Sequence, residues 1–163
     1  MNREELIKNI RKEGCHLAEL VHDLIRRAVT EDEEILGKYL KSKEIEVKNT
    51  GVPTVEYSCY IVTDRKFVRI FASESEYWFR VCPLNRFMGL EEKNLPRWGG
   101  IDVDDIDVFV KAGFPGELEV KIYFDVTGED LRQVTLVSEG LENRKIKEFV
   151  SATMAAISAL QKK

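Results

Sequence analysis

The stretch VEYSCYIVTDRKFVRIFASESEYWFRV, residues 55–81, decides the fold class, because it holds three β-strand patterns joined by two short polar turns. In its first segment apolar side chains alternate with polar ones, as expected of a half-buried strand. The connections TDRK at 63–66 and SESE at 73–76 are long enough only for a reversal of the chain. The stretch therefore predicts an antiparallel meander, and Ile45 and Val47 mark a further strand before it.

A second meander is predicted in the C-terminal half of the chain. ELEVKIYFD at 117–125 alternates strictly, and LRQVTLV at 131–137 follows it after the turn sequence TGED. The strand before them is marked by alternating apolar residues: Ile106, Val108 and Val110. Between the two meanders, residues 83–100 are predicted to form a loop or a short helix.

Helical periodicity marks both ends of the chain. Apolar residues recur at spacings of three and four over residues 7–29, which predicts one amphipathic helix of about seven turns. Thr30 followed by Glu33 is a capping box, which predicts a second, short helix. The inner face of that second helix would carry four apolar residues: Ile35, Leu36, Tyr39 and Leu40. A closing helix is predicted over residues 141–161.

Together these elements predict an α+β fold. Its centre is a mainly antiparallel sheet of two meanders with about seven strands, on which the long N-terminal helix, the short second helix and the C-terminal helix pack. We expect a single domain over residues 1–163, because no linker is long or polar enough to divide the chain. Within it, the helical N-terminal part covers 1–42, the sheet covers 44–137 and the C-terminal helix covers 141–161.

The composition argues against several classes of protein. A net charge of −4 at pH 7 is unlike that of a nonspecific nucleic-acid binder, and no apolar run approaches the roughly 18 residues of a membrane helix. The charged N-terminus does not resemble a signal peptide. Three widely spaced cysteines predict reduced thiols and a cytoplasmic location. A charged fraction of 33% with two glutamines is typical of thermophilic proteins.

One helical segment concentrates side chains that can bind metals. His16, Glu19, His22 and Asp23 lie within about two turns, and Glu19 and His22 have the Glu-x-x-His spacing of di-iron helices. A carboxylate and an imidazole one turn apart can converge on a metal, so a metal-dependent enzyme is the alternative function. Such a site needs ligands from other helices, and the pattern has no second copy. We therefore interpret the four residues as polar helix surface and expect no cofactor.

LPRWGGIDVDDIDVF, residues 95–109, is the other candidate ligand site. Arg97 and Trp98 can hold a small ligand by charge and stacking, which gives a third candidate function. Four aspartates follow, and their spacing fits no EF-hand loop: Asp102, Asp104, Asp105 and Asp107. We interpret the stretch as a packed loop leading into a strand whose edge is guarded by charge.

Several strands carry aromatic side chains where alternation expects polar ones. The candidate interface residues are Phe67, Phe71, Trp78, Phe109 and Tyr123. A sheet covered by helices on one side should have a polar second face, so either helices cover both faces or another chain does. Aromatic and arginine enrichment is typical of interface cores. We favour another chain, with the first helix as the competing surface, and expect a non-catalytic homodimer with a possible protein partner.

The element order resembles the type III secretion chaperone-like fold, which includes bacterial sensory-transduction-regulator domains. The resemblance is carried by KFVRIFASESEYWFRV (66–81), ELEVKIYFDVT (117–127) and IKEFVSATMAAISAL (146–160). The composition resembles that of uncharacterised small proteins of hyperthermophilic archaea. Members of that fold act as dimers that hold partner chains, so the resemblance implies a chaperone-like or adaptor module. The long first helix and the capped second helix depart from the fold's plan.

Overall fold

The computed structural model describes residues 1–12, 17–46, 53–96 and 116–162. They form an α+β fold with antiparallel sheets, as predicted. In chain order, the elements are helices α1 (Arg3–Lys12) and α2 (Ala18–Ala28), strands β1 (Ile35–Glu46), β2 (Pro53–Thr63), β3 (Lys66–Ala72) and β4 (Tyr77–Pro83), a 3-10 turn (Leu84–Arg86), strands β5 (Phe87–Pro96) and β6 (Gly116–Phe124), the short helix α3 (Glu129–Arg132), strand β7 (Gln133–Glu139) and helix α4 (Glu142–Gln161).

The chain forms two compact units. Unit 1 comprises Met1–Asn85 and Ala152–Lys163, and unit 2 comprises Arg86–Ser151. Unit 1 contains the four-stranded sheet in the order β1-β2-β3-β4, and unit 2 contains the three-stranded sheet in the order β5-β6-β7. Neighbouring strands in both sheets are antiparallel, which confirms the prediction of antiparallel strands in both halves, although β5 is not the strand that was predicted to open the second meander.

Side-chain hydroxyls close both predicted turns of the first meander. Thr63 Oγ1 accepts hydrogen bonds from the amides of Arg65 and Lys66, at 3.1 and 3.0 Å. Ser73 Oγ accepts one from the amide of Glu76, at 3.0 Å. Ser and Thr favour such turns because their short side chains satisfy the amides that the reversal leaves free. The turns fix the register of β2, β3 and β4, which continues without a shift from pair to pair.

The N-terminal helical region is a hairpin, and the prediction of one continuous helix is wrong. Arg3 donates from Nη1 to the carbonyls of Arg26 and Val29, both at 3.1 Å, so the start of α1 lies beside the end of α2. In one straight helix, residues 3 and 26 would lie about 34 Å apart. Helix α1 ends at Lys12 and α2 begins at Ala18. Residues 13–16 lie outside the described residues, and Gly14 among them has low helix propensity.

The helix predicted after Thr30 is also wrong, because residues 35–46 form strand β1. Only half of the capping box is present: the Thr30 amide donates to Glu33 Oε1 at 3.0 Å, but the Glu33 amide donates to the Thr30 carbonyl rather than to its hydroxyl, and the segment closes a turn. The following chain pairs along β2, from Ile35 opposite Thr63. The apolar residues of this segment recur at spacings of one and four, which suit a helix locally. Pairing with the long strand β2 outweighs that pattern, and Gly37 disfavours the helix. The helical N-terminal part therefore does not extend to residue 42.

The prediction of a loop or short helix over residues 83–100 needs correction as well. After the 3-10 turn, strand β5 occupies Phe87–Pro96 and pairs with β6, with a bulge between Phe87 and Gly89. The bulge shifts the side-chain alternation, which hides the strand pattern in the sequence. The strand predicted around residues 106–110 lies outside the described residues.

The C-terminal helix is confirmed, and its start is anchored to the three-stranded sheet. Asn143 is buried, donates from Nδ2 to the carbonyl of Gly116 at 3.0 Å, and accepts from Ser138 Oγ at 2.6 Å. Gly140, just before the helix, has φ +65°, a left-handed conformation that favours glycine. The helix contributes Glu142–Ser151 to unit 2 and Ala152–Gln161 to unit 1.

Candidate functional site

The four-stranded sheet has two apolar faces, which we call the helix face and the second face. The helix face packs in one buried core with α1 and α2. Its central side chains are Tyr57, Cys59, Ile61, Val68, Ile70 and Ala72. By strand alternation, the second face carries the side chains between them: Tyr60 and Val62 on β2, Phe67, Arg69 and Phe71 on β3, and Trp78, Arg80 and Cys82 on β4.

One row of the second face is buried within the chain. Val62, Phe67 and Cys82 lie opposite one another across β2, β3 and β4, and all three are fully buried. Phe67, a predicted interface residue, therefore belongs to the core. For this row the alternative interpretation, cover from within the chain, is the correct one.

The rest of the second face carries an aromatic–arginine cluster, made of Tyr60, Arg69, Phe71, Trp78 and Arg80. Phe71 and Trp78 face each other across β3 and β4, and their rings stack with centroids 5.6 Å apart. The Arg80 guanidinium carbon lies 5.0 Å from the Trp78 ring centroid, and that of Arg69 lies 5.4 Å from it. Phe71, Trp78 and Arg69 are half-buried and Arg80 is exposed, so the cluster is open to solvent.

The geometry concentrates positive charge on an aromatic surface. Arg69 also lies 5.7 Å from the Tyr60 ring, so its guanidinium contacts rings on both sides. Burial raises the pKa of Tyr60, and the charge of Arg69 opposes that shift. A guanidinium over a ring is stabilised by about 0.5–2 kcal/mol and retains donors for a partner. The cluster can therefore bind apolar side chains and carboxylates together.

Strand β4 carries the cluster at an edge of the sheet. It follows β3 in the order and has no strand beyond it among the described residues. Its helix-face side chains Tyr77 and Val81 are 59% and 45% exposed. Sequence reasoning did not single out these two residues. The sequence does contain a signal for them. Tyr77 and Val81 lie on the same face of YWFRV, a strand segment that contains neither lysine nor proline.

Tyr123, another predicted interface residue, lies in the other sheet. It occupies the polar face of the three-stranded sheet, and its hydroxyl donates to Glu91 Oε2 at 3.2 Å. Partial desolvation and this hydrogen bond raise the pKa of Tyr123. Lys121 lies opposite Glu91, and Lys93 lies opposite Glu119, so charges of opposite sign alternate across the strands. This face has the pattern of a solvated surface, unlike the aromatic–arginine cluster.

The candidate metal ligands differ in their exposure to solvent. His22 is fully buried, whereas the side chains of Glu19 and Asp23 are 83% and 64% exposed. The interpretation as polar surface is therefore wrong for His22, because α1 folds back beside α2 and covers that flank. His22 Nδ1 is 4.0 Å from Glu19 Oε1, and Asp23 pairs with Arg27 at 3.9 Å. Over the described ranges, no three His, Cys, Asp or Glu side chains are grouped to hold a metal.

Several predicted site residues lie outside the described residues. They are His16, Arg97, Trp98, Asp102, Asp104, Asp105, Asp107 and Phe109. The expectations for a ligand site in residues 95–109 and for Phe109 at an interface therefore stay predictions.

Unit 2 contains an open depression of about 610 Å³. Its lining includes Arg86, Asp125 and Arg132. Arg132 Nη2 donates to the carbonyl of Thr127 at 3.1 Å, and the Asp125 carboxylate offsets the positive charge. The depression therefore offers less to a ligand than the aromatic–arginine cluster does.

Comparisons with known proteins give no assignment: no family model matches the chain, and neither do curated proteins or solved structures. In the part of the chain that the structure describes, no helix has the length and apolar character needed to cross a membrane.

Proposed function

We propose that this protein is a non-catalytic, homodimeric module that binds a protein partner through its aromatic–arginine cluster. The carrying observation is the half-buried Phe71–Trp78 stack with guanidiniums of Arg69 and Arg80 beside it on an open sheet face. If the resemblance to the type III secretion chaperone-like fold extends to function, such a module would act as a chaperone or adaptor.

The composition of the cluster supports binding to a protein. Interface cores are enriched in aromatic residues and arginine, and Trp, Tyr and Arg dominate their binding energy. Trp78 lies at the centre of the cluster and contacts three of its other members. A partner segment with aromatic or aliphatic side chains beside carboxylates would match both its apolar and its positive character.

The state of the cysteines supports a cytoplasmic location for the module. Among the described residues, Cys59 and Cys82 are buried thiols outside any disulfide, the state expected of cysteines in a reducing compartment.

Selection of peptides from a random display library tests the binding proposal. We expect enriched sequences that combine acidic with aromatic or aliphatic residues, and we expect Trp78→Ala to weaken their binding by about tenfold or more. Arg80→Ala should weaken it as well, because Arg80 is exposed and its substitution leaves the core intact. The affinities can be measured by fluorescence anisotropy of labelled peptides.

Met88→Ala is the matched control, because Met88 is 69% exposed and lies on β5 in the other unit. Its peptide affinity should equal that of the unsubstituted protein. Circular dichroism spectra would verify that each variant is folded. Equal peptide affinity in the Trp78→Ala and Met88→Ala proteins would refute the proposal, as would a selection that enriches no peptide.

A further inference from the structure

The edge strands of the two sheets are β1, β4, β5 and β7, and they differ in how they are protected against pairing. Strand β7 has no bulge, but the exposed residues of QVTLVSE are polar except Val137. An exposed edge is normally blocked by lysines, prolines, charges or a bulge. Edge β1 has a bulge between Ile35 and Gly37, and edge β5 has one between Phe87 and Gly89. Charged side chains occupy both of these edges: Lys38, Lys41 and Lys43 on β1, and Glu91, Glu92 and Lys93 on β5.

Strand β4 lacks these protections over most of its length. It pairs with β3 without a register shift from Tyr77 to Pro83, and its proline is the final residue. Arg80 is the one charged residue in YWFRVCP, and its guanidinium lies over Trp78. Tyr77 and Val81, both on the helix face, are among the more exposed large apolar residues of unit 1. A straight, apolar edge of this kind is a template for another strand.

We infer that a second copy of this chain pairs with β4 in antiparallel fashion about a two-fold axis at Phe79. In this register Tyr77 lies opposite Val81 of the partner subunit, and Trp78 lies opposite Arg80 of the partner subunit. Each exposed Tyr77 is then covered by Val81 of the partner subunit, and each Trp78 gains a third guanidinium beside those of Arg69 and Arg80. The inference rests on the homodimer of the proposed function and specifies its interface.

The other two-fold registers fit less well. An axis at Arg80 sets two guanidiniums directly opposite each other, which is destabilising. An axis at Trp78 extends the pairing into Glu76, which belongs to the turn closed by Ser73. An axis between two residues would pair helix-face residues of one subunit with second-face residues of the other. The helix face of one sheet would then continue as the second face of its partner.

The charges on the helix face near the axis permit the close approach. On the helix face, the Arg27 guanidinium lies 5.4 Å from the Phe79 ring centroid and pairs with Asp23 at 3.9 Å. Because Arg27 comes with its own carboxylate, the two-fold axis brings together two neutral pairs rather than two bare cations.

The paired strands would join two four-stranded sheets into one continuous sheet. Two aromatic–arginine clusters would then lie side by side, which offers an extended partner two contact points. A single strand pair buries less than the roughly 1,600 Å² of a standard interface, so we expect the dimer to depend on protein concentration.

Disulfide cross-linking between two separately purified variants tests this register. Tyr77→Cys and Val81→Cys are each made in a Cys15→Ser background. The native Cys59 and Cys82 can stay, because both are buried. Directly opposite residues have Cα atoms about 4.5–5.5 Å apart, within reach of a disulfide. Two copies of the same substituted residue are offset by four positions, about 13 Å along the strand, which is beyond the reach of a disulfide. Under mild oxidation the mixture should therefore form covalent dimers containing one chain of each variant, and each variant alone should form few.

A mixture of Tyr77→Cys with Val137→Cys sets the background of random collisions, because Val137 is exposed on β7 of unit 2. Light scattering on the same samples reports whether a dimer exists. A dimer in which Tyr77→Cys and Val81→Cys link no faster than this background overturns the register and leaves the homodimer standing. Faster linking within one variant than in the mixture also overturns it. A monomer at every concentration overturns both the register and the homodimer, but not the peptide-binding surface.

Discussion

Among single residues, Glu33 shows how a sequence motif can be partly present and still mislead. Its carboxylate is buried, and it accepts from the Thr30 amide, from Thr63 Oγ1 at 2.8 Å and from Lys66 Nζ at 2.7 Å. Burial alone would raise the pKa of Glu33, but these hydrogen bonds outweigh it and hold the pKa below the ordinary value. The motif predicted the contact with Thr30. The contacts with Thr63 and Lys66 come from the sheet, which local sequence does not specify.

Substituting Glu33 should destabilise the fold in a pH-dependent way. At pH 7 we expect Glu33→Gln to lower the free energy of unfolding by about 2 kcal/mol, because Lys66 loses its partly buried counter-charge. Since the folded pKa of Glu33 is lowered, its contribution is complete above the unfolded pKa, about 4.3, and is lost as pH falls through the folded pKa. Urea unfolding at a series of pH values measures both effects.

Glu31→Gln is the control for this series. The Glu31 side chain is 84% exposed and pairs with Arg3, so its loss should cost at most about 1 kcal/mol. The stability difference between the Glu33→Gln protein and the unsubstituted protein should shrink from neutral pH toward acid. A difference that stays constant down to acid pH would show that the carboxylate charge is unimportant.

The secondary-structure elements divide into those that the sequence determines locally and those that it does not. Strands β2, β3 and β4, with both turns, are evident from alternation and from Thr63 and Ser73 in the turns. Only the end of β1, at Ile45, was predicted; the rest of β1 and the whole of β5 were missed because a bulge near the start of each shifts the alternation and because their pairing partners are remote. The break between α1 and α2 was missed because the apolar spacing continues across it, and spacing does not report where a helix folds back.

The helical hairpin depends on Arg3, which lies on α1 and contacts the end of α2. Its guanidinium donates to the carbonyls of Arg26 and Val29 and to Glu31 at 2.8 Å. We expect Arg3→Lys to lower the free energy of unfolding by about 1 kcal/mol, because an ammonium keeps the charge but cannot hold the same planar set of acceptors. Thermal unfolding followed by circular dichroism measures the loss.

Lys8→Arg is the matched exchange in the opposite direction, on an exposed position of the same helix. It should leave the stability unchanged within about 0.5 kcal/mol. If Arg3→Lys is equally neutral, the bridging geometry of Arg3 does not stabilise the hairpin.

At the scale of the whole molecule, the aromatic residues predicted to lie at an interface have three different environments. Phe67 is buried in the chain, Phe71 and Trp78 form an open cluster with two arginines, and Tyr123 lies on a charged face of the other sheet. Alternation identified which side chains leave the helix face, but it cannot show which of them the rest of the chain covers. The β4 edge could be predicted only after the strand order was known, because protection matters only at an edge.

Hydrogen–deuterium exchange of β4 as a function of protein concentration addresses both the homodimer and its interface. Amides of residues 77–82 should exchange more slowly at about 100 µM than at about 1 µM, because the second strand satisfies the outward-facing donors in the dimer. Amides of β1 and β5, on protected edges, should exchange equally at both concentrations. Exchange in β4 that is independent of concentration, in a protein that light scattering shows to be dimeric, would place the interface elsewhere. The same exchange in a protein that stays monomeric would remove the homodimer itself.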